Sequence, residues 1–374
     1  MSKHFFALII FFVPMPSIVY AQIIASEDYE IDVDVIADGL NHPWSLAFLP
    51  DGNMLVTERT GTLRIIIDGK LVKKPVSGLP KIKQHGQGGA MDVVLHPDFE
   101  NNRLVYLAYA GESDDGFSTE VFRGKLLGNQ LEDVEIIFVA NAKTSGGLHF
   151  GGRLLFDNEE KLFITLGDRG QRDAAQNLDS HTGSLILIND DGSSPQDNPF
   201  INTDGAQPEI YSYGHRNIQG IDLAPGTNIV WTHEHGPQGG DEINIIKAGN
   251  NYGWPVITYG VNYVIGTKIG EGTHKEGMEQ PLYYWTPSIA PSGMMFYTGD
   301  KFPLWKGNLF VGSLKFGLLV RLELENEQVT HEERLLDNKY GRIRDVRQGP
   351  DGAIYLLTDL TNGAVLRLSN GDKS

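Results

Sequence analysis

Short apolar runs separated by polar turns recur along this chain. The most complete copy passes from a glycine-rich segment at 146–152 into apolar residues 154–156, a polar turn at 157–160 and apolar residues 162–166. The same order surrounds turns at 50–52, near 101, at 225–226, near 307 and at 350–352. Apolar alternation bounded by Gly, Pro, Asn and Asp favours strands over helices. No stretch carries a sustained helical period with caps at both ends.

Six degenerate copies of one strand–turn–strand unit predict an all-β, six-bladed β-propeller with four-stranded antiparallel blades around a central channel. Residues 29–37 alternate polar and apolar and read as a further strand. We expect this strand to pair near 364–368 in the last blade and so to close the ring. Residues 22–374 then form a single domain.

The first 21 residues have the features of a secretory signal peptide. A weakly basic start is followed by an apolar run at 5–13 and a small-residue end at Ala21. An N-terminal membrane anchor is the alternative, but Pro14, Pro16 and the Ala21 site argue against it. Cleavage near Ala21 predicts a periplasmic or secreted protein with no membrane span in the mature chain.

The amino-acid composition limits the kinds of partner that the chain can bind. It has no cysteine, so no disulfide can stabilise an exported form. With 48 acidic against 31 basic residues the net charge is −17, which makes a nucleic-acid partner unlikely by charge repulsion. A bound divalent cation fits an acidic chain better.

Polar residues just before each innermost strand should converge at one mouth of the channel. These are Asn41, His42, Gln87, His149, Arg216, Asn217, Arg342 and Arg344. Loops that leave the second strands hold Asp168, His233, Glu234, His235, Lys315 and Asp359. The pattern does not decide which mouth this second set joins. For any single position, a polar strand cap is the simpler interpretation.

His149 is the strongest single candidate for chemistry, because an imidazole with a pKa near neutrality suits a general base. Gln87, in the glycine-rich loop 84–89, can hydrogen-bond to a planar ligand that approaches the backbone closely. Four cations, Lys315, Arg216, Arg342 and Arg344, predict a polyanionic ligand at the mouth. Salt bridges between blades are the alternative for each arginine.

The segment 231–244 suggests a metal site. Its His233-Glu234-His235 sequence offers two imidazoles for zinc, but alternate residues of a strand are poor chelators without a third ligand. Calcium is favoured instead, because it accepts mixed sets of carbonyl and carboxylate oxygens. Such oxygens are available from Gly236, Pro237, Asp241 and Glu242.

Taken in order, these motifs resemble the soluble pyrroloquinoline-quinone (PQQ) dependent aldose sugar dehydrogenases of the glucose/sorbosone dehydrogenase family, over nearly the whole mature chain. The resemblance rests on segments 41–44, 87–89 with 96–99, 149 with 152–154, 214–217, 234–237 with 241–244, 251–255, 313–315 and 342–345. Together these motifs are specific, although no single one would be.

The resemblance implies oxidation of the anomeric C1 hydroxyl of an aldose to a lactone, with hydride transfer to PQQ and His149 as the base. It implies that Lys315, Arg216, Arg342 and Arg344 neutralise PQQ, that Gln87 and Asn217 hydrogen-bond to it, and that Tyr263 contacts it. It also implies a Ca²⁺ that is held by the Gly236 and Pro237 carbonyls and polarises the quinone. Glu242 and the Tyr252 carbonyl match the ligands of a second, structural Ca²⁺.

One residue departs from the pattern of the glucose-specific branch. Leu148 stands where that branch has an aspartate before the histidine, so a carboxylate for the sugar or for His149 is missing and a broader aldose range is expected. Tyr284 and Trp285 are placed at the wall of the sugar cleft by position only. The electron acceptor stays unidentified, and monomer and dimer are both open.

Two other functions compete with the dehydrogenase. A Ca²⁺-dependent six-bladed lactonase or related hydrolase would need a chelating set of carboxylates in the channel and would have no use for Lys315, Arg342 and Arg344. A non-catalytic secreted propeller that serves as a binding module would predict erosion at His149 or at the cations, and all of them are present.

Overall fold

A computed structural model describes residues 22–371 of the chain as six antiparallel sheets arranged as a propeller, which confirms the predicted fold. The predicted signal peptide at 1–21 lies outside the described residues. Within 22–371, helical structure is confined to one four-residue α-helix and two 3₁₀ turns: α1 (Phe99–Asn102), Arg172–Gln176 and Pro303–Trp305.

The strands follow one another in chain order, blade by blade. Two strands precede the first blade: β1 (Gln22–Ala25) and β2 (Glu30–Leu40). Blade 1 has β3 (Pro43–Phe48), β4 (Met54–Glu58), β5 (Thr62–Ile67) and β6 (Lys70–Leu71). Blade 2 has β7 (Ala90–Leu95), β8 (Leu104–Ser113), β9 (Gly116–Leu127) and β10 (Gln130–Val139). Blade 3 has β11 (Leu154–Phe156), β12 (Leu162–Thr165), β13 (Ser184–Ile188) and β14 (Ile210–Tyr213).

The second half of the chain forms the other three blades. Blade 4 has β15 (Ile218–Leu223), β16 (Val230–Glu234), β17 (Asp241–Ile245) and β18 (Tyr283–Trp285). Blade 5 has β19 (Pro291–Phe296), β20 (Leu309–Ser313), β21 (Leu319–Glu325) and β22 (Gln328–Leu335). Blade 6 has β23 (Ile343–Gln348), β24 (Ile354–Thr358) and β25 (Gly363–Asn370), and it is completed by β2 and β1.

The N-terminal strand closes the ring as predicted. β2 pairs antiparallel with β25, with Val33 opposite Leu368. β1 then pairs with β2 and makes blade 6 five-stranded, a fifth strand that the repeat pattern did not predict. The outer edge of β2 is therefore covered by the short strand β1, which becomes the edge of blade 6.

Four of the second strands are buried along their whole length. Every residue of β4, β12, β16 and β20 is buried, because each of these strands lies between two neighbouring sheets. The apolar cores accordingly lie between blades. Residues of blades 5 and 6, such as Phe310 and Ile354, share one of them. The strand propensity of Val, Ile, Leu and Phe at these positions is thus supported by packing on both faces.

Two arginines and two aspartates cross the channel and form what we call the channel charge network: Asp92, Arg153, Asp345 and Arg347. Arg153 Nη1 lies 2.7 Å from Asp345 Oδ1, and Arg347 donates to Asp345 Oδ2 at 2.9 Å and to Asp92 Oδ1 at 2.8 Å. Backbone N–H groups of Leu46 and Leu154 donate to the same carboxylates. The network joins blades 1, 2, 3 and 6, and its hydrogen bonds offset the cost of burying the charges.

A second buried cation, Arg321 of blade 5, fastens the start of the chain. Its guanidinium, 1% exposed, lies 3.1 Å from Asp28, 3.6 Å from Glu27 and 2.7 Å from Glu333. The Trp305 indole also donates to Asp28, at 3.0 Å. These contacts fix the segment between β1 and β2 against blade 5.

We expect Arg321→Met to lower the free energy of unfolding by about 3 kcal/mol, because it leaves the buried Glu333 carboxylate without its cation. Arg334→Met is the control, since Arg334 pairs with Glu332 at the surface and such pairs contribute about 1 kcal/mol or less. Urea unfolding of both variants measures the difference. Equal losses would contradict the role assigned to Arg321.

Candidate active site

Antiparallel pairing decides which mouth of the channel receives the polar residues. In each blade the first strand starts where the second strand ends, so residues before the first strand and after the second meet at one end. Asp168 therefore lies beside His149, and Asp359 beside Arg344, which settles the placement that the sequence pattern left open. All six blades direct such residues to the same mouth.

A cavity of about 790 Å³ opens at this mouth. Six of the predicted site residues line it: Gln87, Pro237, Tyr263, Lys315, Arg342 and Arg344. His149, Arg216 and Asn217 lie next to the lining residues Gln87, Gly151 and His235, with which they share hydrogen bonds. The predicted metal ligands Gly236, Glu242 and Tyr252 line a smaller, adjacent cavity.

Cations are gathered at one side of the cavity by a single buried carboxylate. Asp359 accepts a hydrogen bond from Arg344 at 2.9 Å, lies 3.4 Å from Arg342 and 3.9 Å from Arg59, and contacts His42 Nδ1 at 2.7 Å. Although burial raises the pKa of Asp359, the charges of Arg344 and Arg59 and the hydrogen bond with His42 lower it well below its usual value. One negative charge thus holds three arginines, so this wall keeps a net positive charge.

Several donors around the cavity have no partner among residues 22–371. The buried Nε–H groups of Arg59, Arg216 and Arg344 are without hydrogen bonds in the described part of the chain. The exposed Lys315 ammonium has no carboxylate within 4 Å and no hydrogen-bond acceptor among residues 22–371. Lys315, Arg342 and Arg344 line the cavity, and the free Lys315 ammonium could pair with an anion bound there. This cationic lining therefore fits an anionic ligand.

His149 and Asp168 form a buried pair beside the cavity. His149 Nδ1 lies 2.6 Å from Asp168 Oδ1, and the same oxygen accepts the Gly170 N–H at 2.7 Å. The other oxygen of Asp168 accepts the Trp254 indole N–H at 2.8 Å. Although burial raises the pKa of Asp168, the hydrogen bond with His149 lowers it below its usual value. Asp168 is thus ionised and can only accept, so Nδ1 of His149 carries a proton and Nε2 is left with a free lone pair.

The surroundings of His149 keep it neutral. Burial lowers its pKa below the usual value, the hydrogen bond to Asp168 opposes this, and the positive charge of Arg216 lowers the pKa further. The backbone N–H of His149 donates to Gln87 Oε1 at 2.8 Å, and His149 takes a left-handed φ of 50°. Gln87 therefore holds the loop that presents the imidazole, in addition to lining the cavity.

Arg216 and Asn217 support the floor of the site. Arg216 Nη1 donates to the His235 carbonyl at 3.0 Å, and its guanidinium lies 5.4 Å from the Trp254 ring. Asn217 Oδ1 accepts the Gly151 N–H at 3.1 Å. Both side chains tie the start of blade 4 to neighbouring site segments.

The loop 235–240 lines the cavity through His235, Pro237, Gln238 and Gly239. Asp241 does not point to a metal site, because its carboxylate accepts from the Gly236 N–H at 2.9 Å, the Ser288 hydroxyl at 2.6 Å and the Ala290 N–H at 2.9 Å. A side chain at Gly236 would come within 2.1 Å of the Gly240 carbonyl oxygen, so this fold of the loop requires glycine. Pro237 contributes its carbonyl to the cavity side, where Tyr263 donates to it at 2.9 Å.

The two imidazoles near this loop have other roles than binding metal. His233 is fully buried in the wall of blade 4, and His235 Nε2 hydrogen-bonds to the Pro291 carbonyl at 2.6 Å. Glu234 between them binds His215 Nδ1 at 2.9 Å and the backbone of Arg216. Within 22–371 no group of three or more His, Asp or Glu side chains could hold a metal ion. Any cation here needs carbonyl oxygens.

Glu242 and Glu234 share the smaller cavity with Tyr252. Burial raises the pKa of Glu242 well above its usual value, and the charge of Glu234 raises it further. Two acidic groups in one enclosed space repel each other unless a proton or a cation lies between them. Glu234 already accepts hydrogen bonds from His215 and from the Arg216 N–H, so Glu242 is the carboxylate of this pair that stays available to a cation.

Sequence reasoning missed three features of the site. Arg59 and Trp254 were not predicted, because single residues in loops carry no periodic signal. Asp168 was noticed, but its contact with His149 depends on strand pairing. Trp285 was expected at the sugar cleft, but it is buried in the core between blades 4 and 5 and donates to Glu332 at 2.7 Å. Tyr284 stacks on Tyr259 and is not among the cavity-lining residues.

The fold and the site together define a six-bladed propeller with a cationic cavity and a buried His–Asp pair at one mouth. The sequence profile described as Glucose / Sorbosone dehydrogenase matches residues 40–367. The chain belongs to this family.

Individual relatives agree with that assignment. The aldose sugar dehydrogenase YliI of Escherichia coli is 48% identical over 345 residues, which cover 91% of this chain and 93% of the relative. The crystal structure of a soluble aldose sugar dehydrogenase from Escherichia coli in its apo form superposes with a TM-score of 0.88 at 47% identity, covering 91% of this chain and 99% of that one. The PQQ-bound aldose sugar dehydrogenase of Streptomyces coelicolor gives a TM-score of 0.74 at 27% identity, covering 91% and 98%.

Across residues 22–371 we find no helix with the length and apolar character needed to traverse a bilayer.

We expect His149 to titrate below its usual pKa of about 6.5, since burial and Arg216 disfavour the imidazolium. Asp168→Asn should lower the midpoint further, because the lost carboxylate is the group that favours the charged ring. Histidine NMR of the wild type and the variant, with His149→Asn for assignment, measures both midpoints. A midpoint above 6.5 in the wild type, or a rise in Asp168→Asn, would contradict this account.

Proposed function

We propose that this chain is a PQQ-dependent aldose sugar dehydrogenase that oxidises the anomeric C1 hydroxyl of aldoses to lactones. One juxtaposition carries the proposal: a buried histidine, oriented by an ionised aspartate 2.6 Å away, stands beside a cavity lined by Lys315, Arg342 and Arg344. A base without an anion site, or an anion site without a base, would not support this chemistry.

The cofactor fits the donor set of the cavity. Lys315, Arg342, Arg344 and Arg216 would neutralise its carboxylates, Gln87 and Asn217 would hydrogen-bond to its rim, and Tyr263 would lie against it. The Gly236 and Pro237 carbonyls would hold the adjacent Ca²⁺, and Glu242 with the Tyr252 carbonyl a structural one. When bound, PQQ supplies the acceptor for the hydride from C1 and Ca²⁺ supplies Lewis acidity.

His149 accepts the proton that the anomeric hydroxyl loses in the reaction. Its Nε2 is the free acceptor, because Nδ1–H is committed to Asp168. Removal of the proton from the anomeric hydroxyl gives the oxygen the electron density that expels hydride from C1 as the C=O bond of the lactone forms. Asp168 stabilises the imidazolium that results and keeps the ring in place. Burial of the pair strengthens this interaction by excluding water.

Leu148 shapes the choice of sugar. Its side chain is 50% exposed directly before His149 and offers no hydrogen bond to a sugar hydroxyl. Asp168 provides His149 with a carboxylate partner, but no carboxylate takes the place of the missing one toward the substrate. A broad range of aldoses, without strict preference for glucose, follows from the lack of a polar group that would reject analogues.

Export and domain organisation complete the proposal. Residues 22–374, which follow the proposed cleavage site at Ala21, would act as one periplasmic or secreted domain. Electrons would leave the reduced cofactor through the open mouth to an acceptor that we do not identify.

Removal of the base tests the activity. With PQQ and Ca²⁺ added together, the purified protein should oxidise aldoses in a dye-linked assay, and neither addition alone should suffice. His149→Ala should lower kcat/KM by more than ~100-fold, because general base catalysis contributes about 10²–10⁴-fold. His331→Ala, an exposed histidine on β22, is the matched control and should keep full activity.

The outcomes separate the competing functions. A quinone absorbance on binding without turnover of any aldose would keep the cofactor and refute the sugar substrate. No PQQ binding would refute the dehydrogenase. A lactonase requires a set of carboxylates that chelates a metal ion in the channel. Within 22–371 there is no group of three or more acidic or histidine side chains that could hold one.

Lys315→Ala tests the anion site separately from folding. Its ammonium is exposed and makes no ion pair among the described residues, so its loss should weaken PQQ binding about tenfold, or ~1.4 kcal/mol, while Tm stays unchanged. Lys73→Ala, on the surface after β6, is the control. Titration of PQQ followed by absorbance measures both variants. Equal affinity of the wild type and Lys315→Ala would contradict the assignment.

A further inference from the structure

Arg169, the residue after Asp168, is a buried cation without an ion pair. Its side chain is 5% exposed, and no carboxylate lies within 4 Å of its guanidinium in the described residues. Burial lowers its pKa to about 10, so it remains charged at neutral pH. A buried charge without a counter-ion is costly, and the contacts it makes must explain its presence.

Those contacts lie at both ends of the segment that carries His149. Arg169 Nη2 donates to the Gly146 carbonyl at 2.8 Å, and its Cζ lies 3.5 Å from the centroid of the Phe150 ring. Longer contacts of 3.4 Å reach the Phe117 carbonyl and the Thr144 hydroxyl. The stacked guanidinium gains cation–π attraction, which offsets part of its lost hydration.

We propose that Arg169 is a positioning residue: its guanidinium fastens segment 146–150 to the turn that begins at Asp168 and thereby fixes the His149–Asp168 pair. Its effect on sugar oxidation rests on the function proposed above. Its effect on the geometry of His149 does not.

The backbone of the pair needs such a fastening. His149 and Arg169 both have left-handed φ angles, 50° and 52°, which non-glycine residues keep only where the surroundings enforce them. Phe150 also packs closely against Gly88, where an added Cβ would come within 2.7 Å of the ring. The ring is thus in contact with both Gly88 and Arg169, and Phe150 is joined to His149 through one peptide bond.

Arg169 also contributes charge. The groups that act on His149 are Asp168, Arg216, Arg169 and His235. Burial lowers the pKa of His235 to about 3, so at neutral pH only the two arginines are positive. Loss of the Arg169 charge should therefore raise the pKa of His149, whereas loss of the Arg169 contacts to Gly146 and Phe150, which we call the clamp, should weaken the hydrogen bond between His149 and Asp168. Substitutions that keep or remove the charge separate these two effects.

Two variants make that separation. By NMR of the PQQ-free protein, Arg169→Lys keeps the positive charge but loses the contacts to Gly146 and Phe150. The downfield resonance of the His149 Nδ1–H should therefore weaken, and the titration midpoint of His149 should fall below that of the wild type, because the hydrogen bond to Asp168 favours the imidazolium. Arg169→Met should weaken the same resonance, but its midpoint should lie above that of Arg169→Lys, because the positive charge that disfavours the imidazolium is also lost. In the loaded enzyme both should lose about tenfold or more in kcat with little change in KM, as misalignment of a base affects the chemical step.

Arg321→Met is the control for general destabilisation, because it should lower the unfolding free energy without moving the His149 midpoint. An unchanged midpoint and an unchanged Nδ1–H resonance in Arg169→Met would overturn the proposal. Should Arg169→Met not fold, Arg169→Lys decides: an Nδ1–H resonance equal to that of the wild type refutes the clamp. If the wild type oxidises no aldose, the proposed function fails, and the NMR results still decide the role of Arg169.

Discussion

Four charged side chains in the middle of the channel hold the working parts of this protein in register. Arg153 of the channel charge network lies four residues after His149, Asp345 follows Arg344, and Asp92 follows the cavity-lining Met91. The segments that carry the cavity residues therefore continue directly into the residues of the channel charge network, which bind one another across the channel. Since the network lies between blades 1, 2, 3 and 6, a shift of one blade against another would break buried charge pairs and move the site residues with them.

The charge at the mouth of the channel is opposite in sign to the net charge of the whole chain. A protein of net charge −17 presents a wall with three arginines and one lysine, organised around the single carboxylate of Asp359. Net charge thus says little about a site, because a buried aspartate can hold several guanidinium groups at distances that leave the wall positive. An acidic chain can therefore still present a local positive charge to an approaching anion.

The fold was predictable from sequence because strand–turn–strand copies are periodic, and a periodic pattern survives degeneration of single residues. The ring closure by β2 was predictable for the same reason, whereas the four residues of β1 are too few to show a pattern. At the site, residues at equivalent places in the repeats were found, among them His149, Lys315 and Arg344. Partners defined by three-dimensional contact were not found. These are Asp168, which strand pairing within blade 3 brings to His149, Arg59, which lies beside Asp359 of the neighbouring blade, and the Gly236 N–H, to which Asp241 is committed within its own loop.

The pairing of β2 with β25 has a consequence for the order in which the molecule is made. Ile31 lies opposite Asn370, and the Gly371 N–H donates to the Glu30 carbonyl at 2.7 Å, so the last contacts of blade 6 join residues from the two ends of the chain. Blades 1 to 5 are each built from consecutive residues and can assemble as synthesis proceeds. The sixth cannot, because its outer strands wait for a partner that is made more than 300 residues later. Completion of the ring, and with it of the Asp359 cation wall, is thus a late event with the largest loop-closure entropy in the molecule.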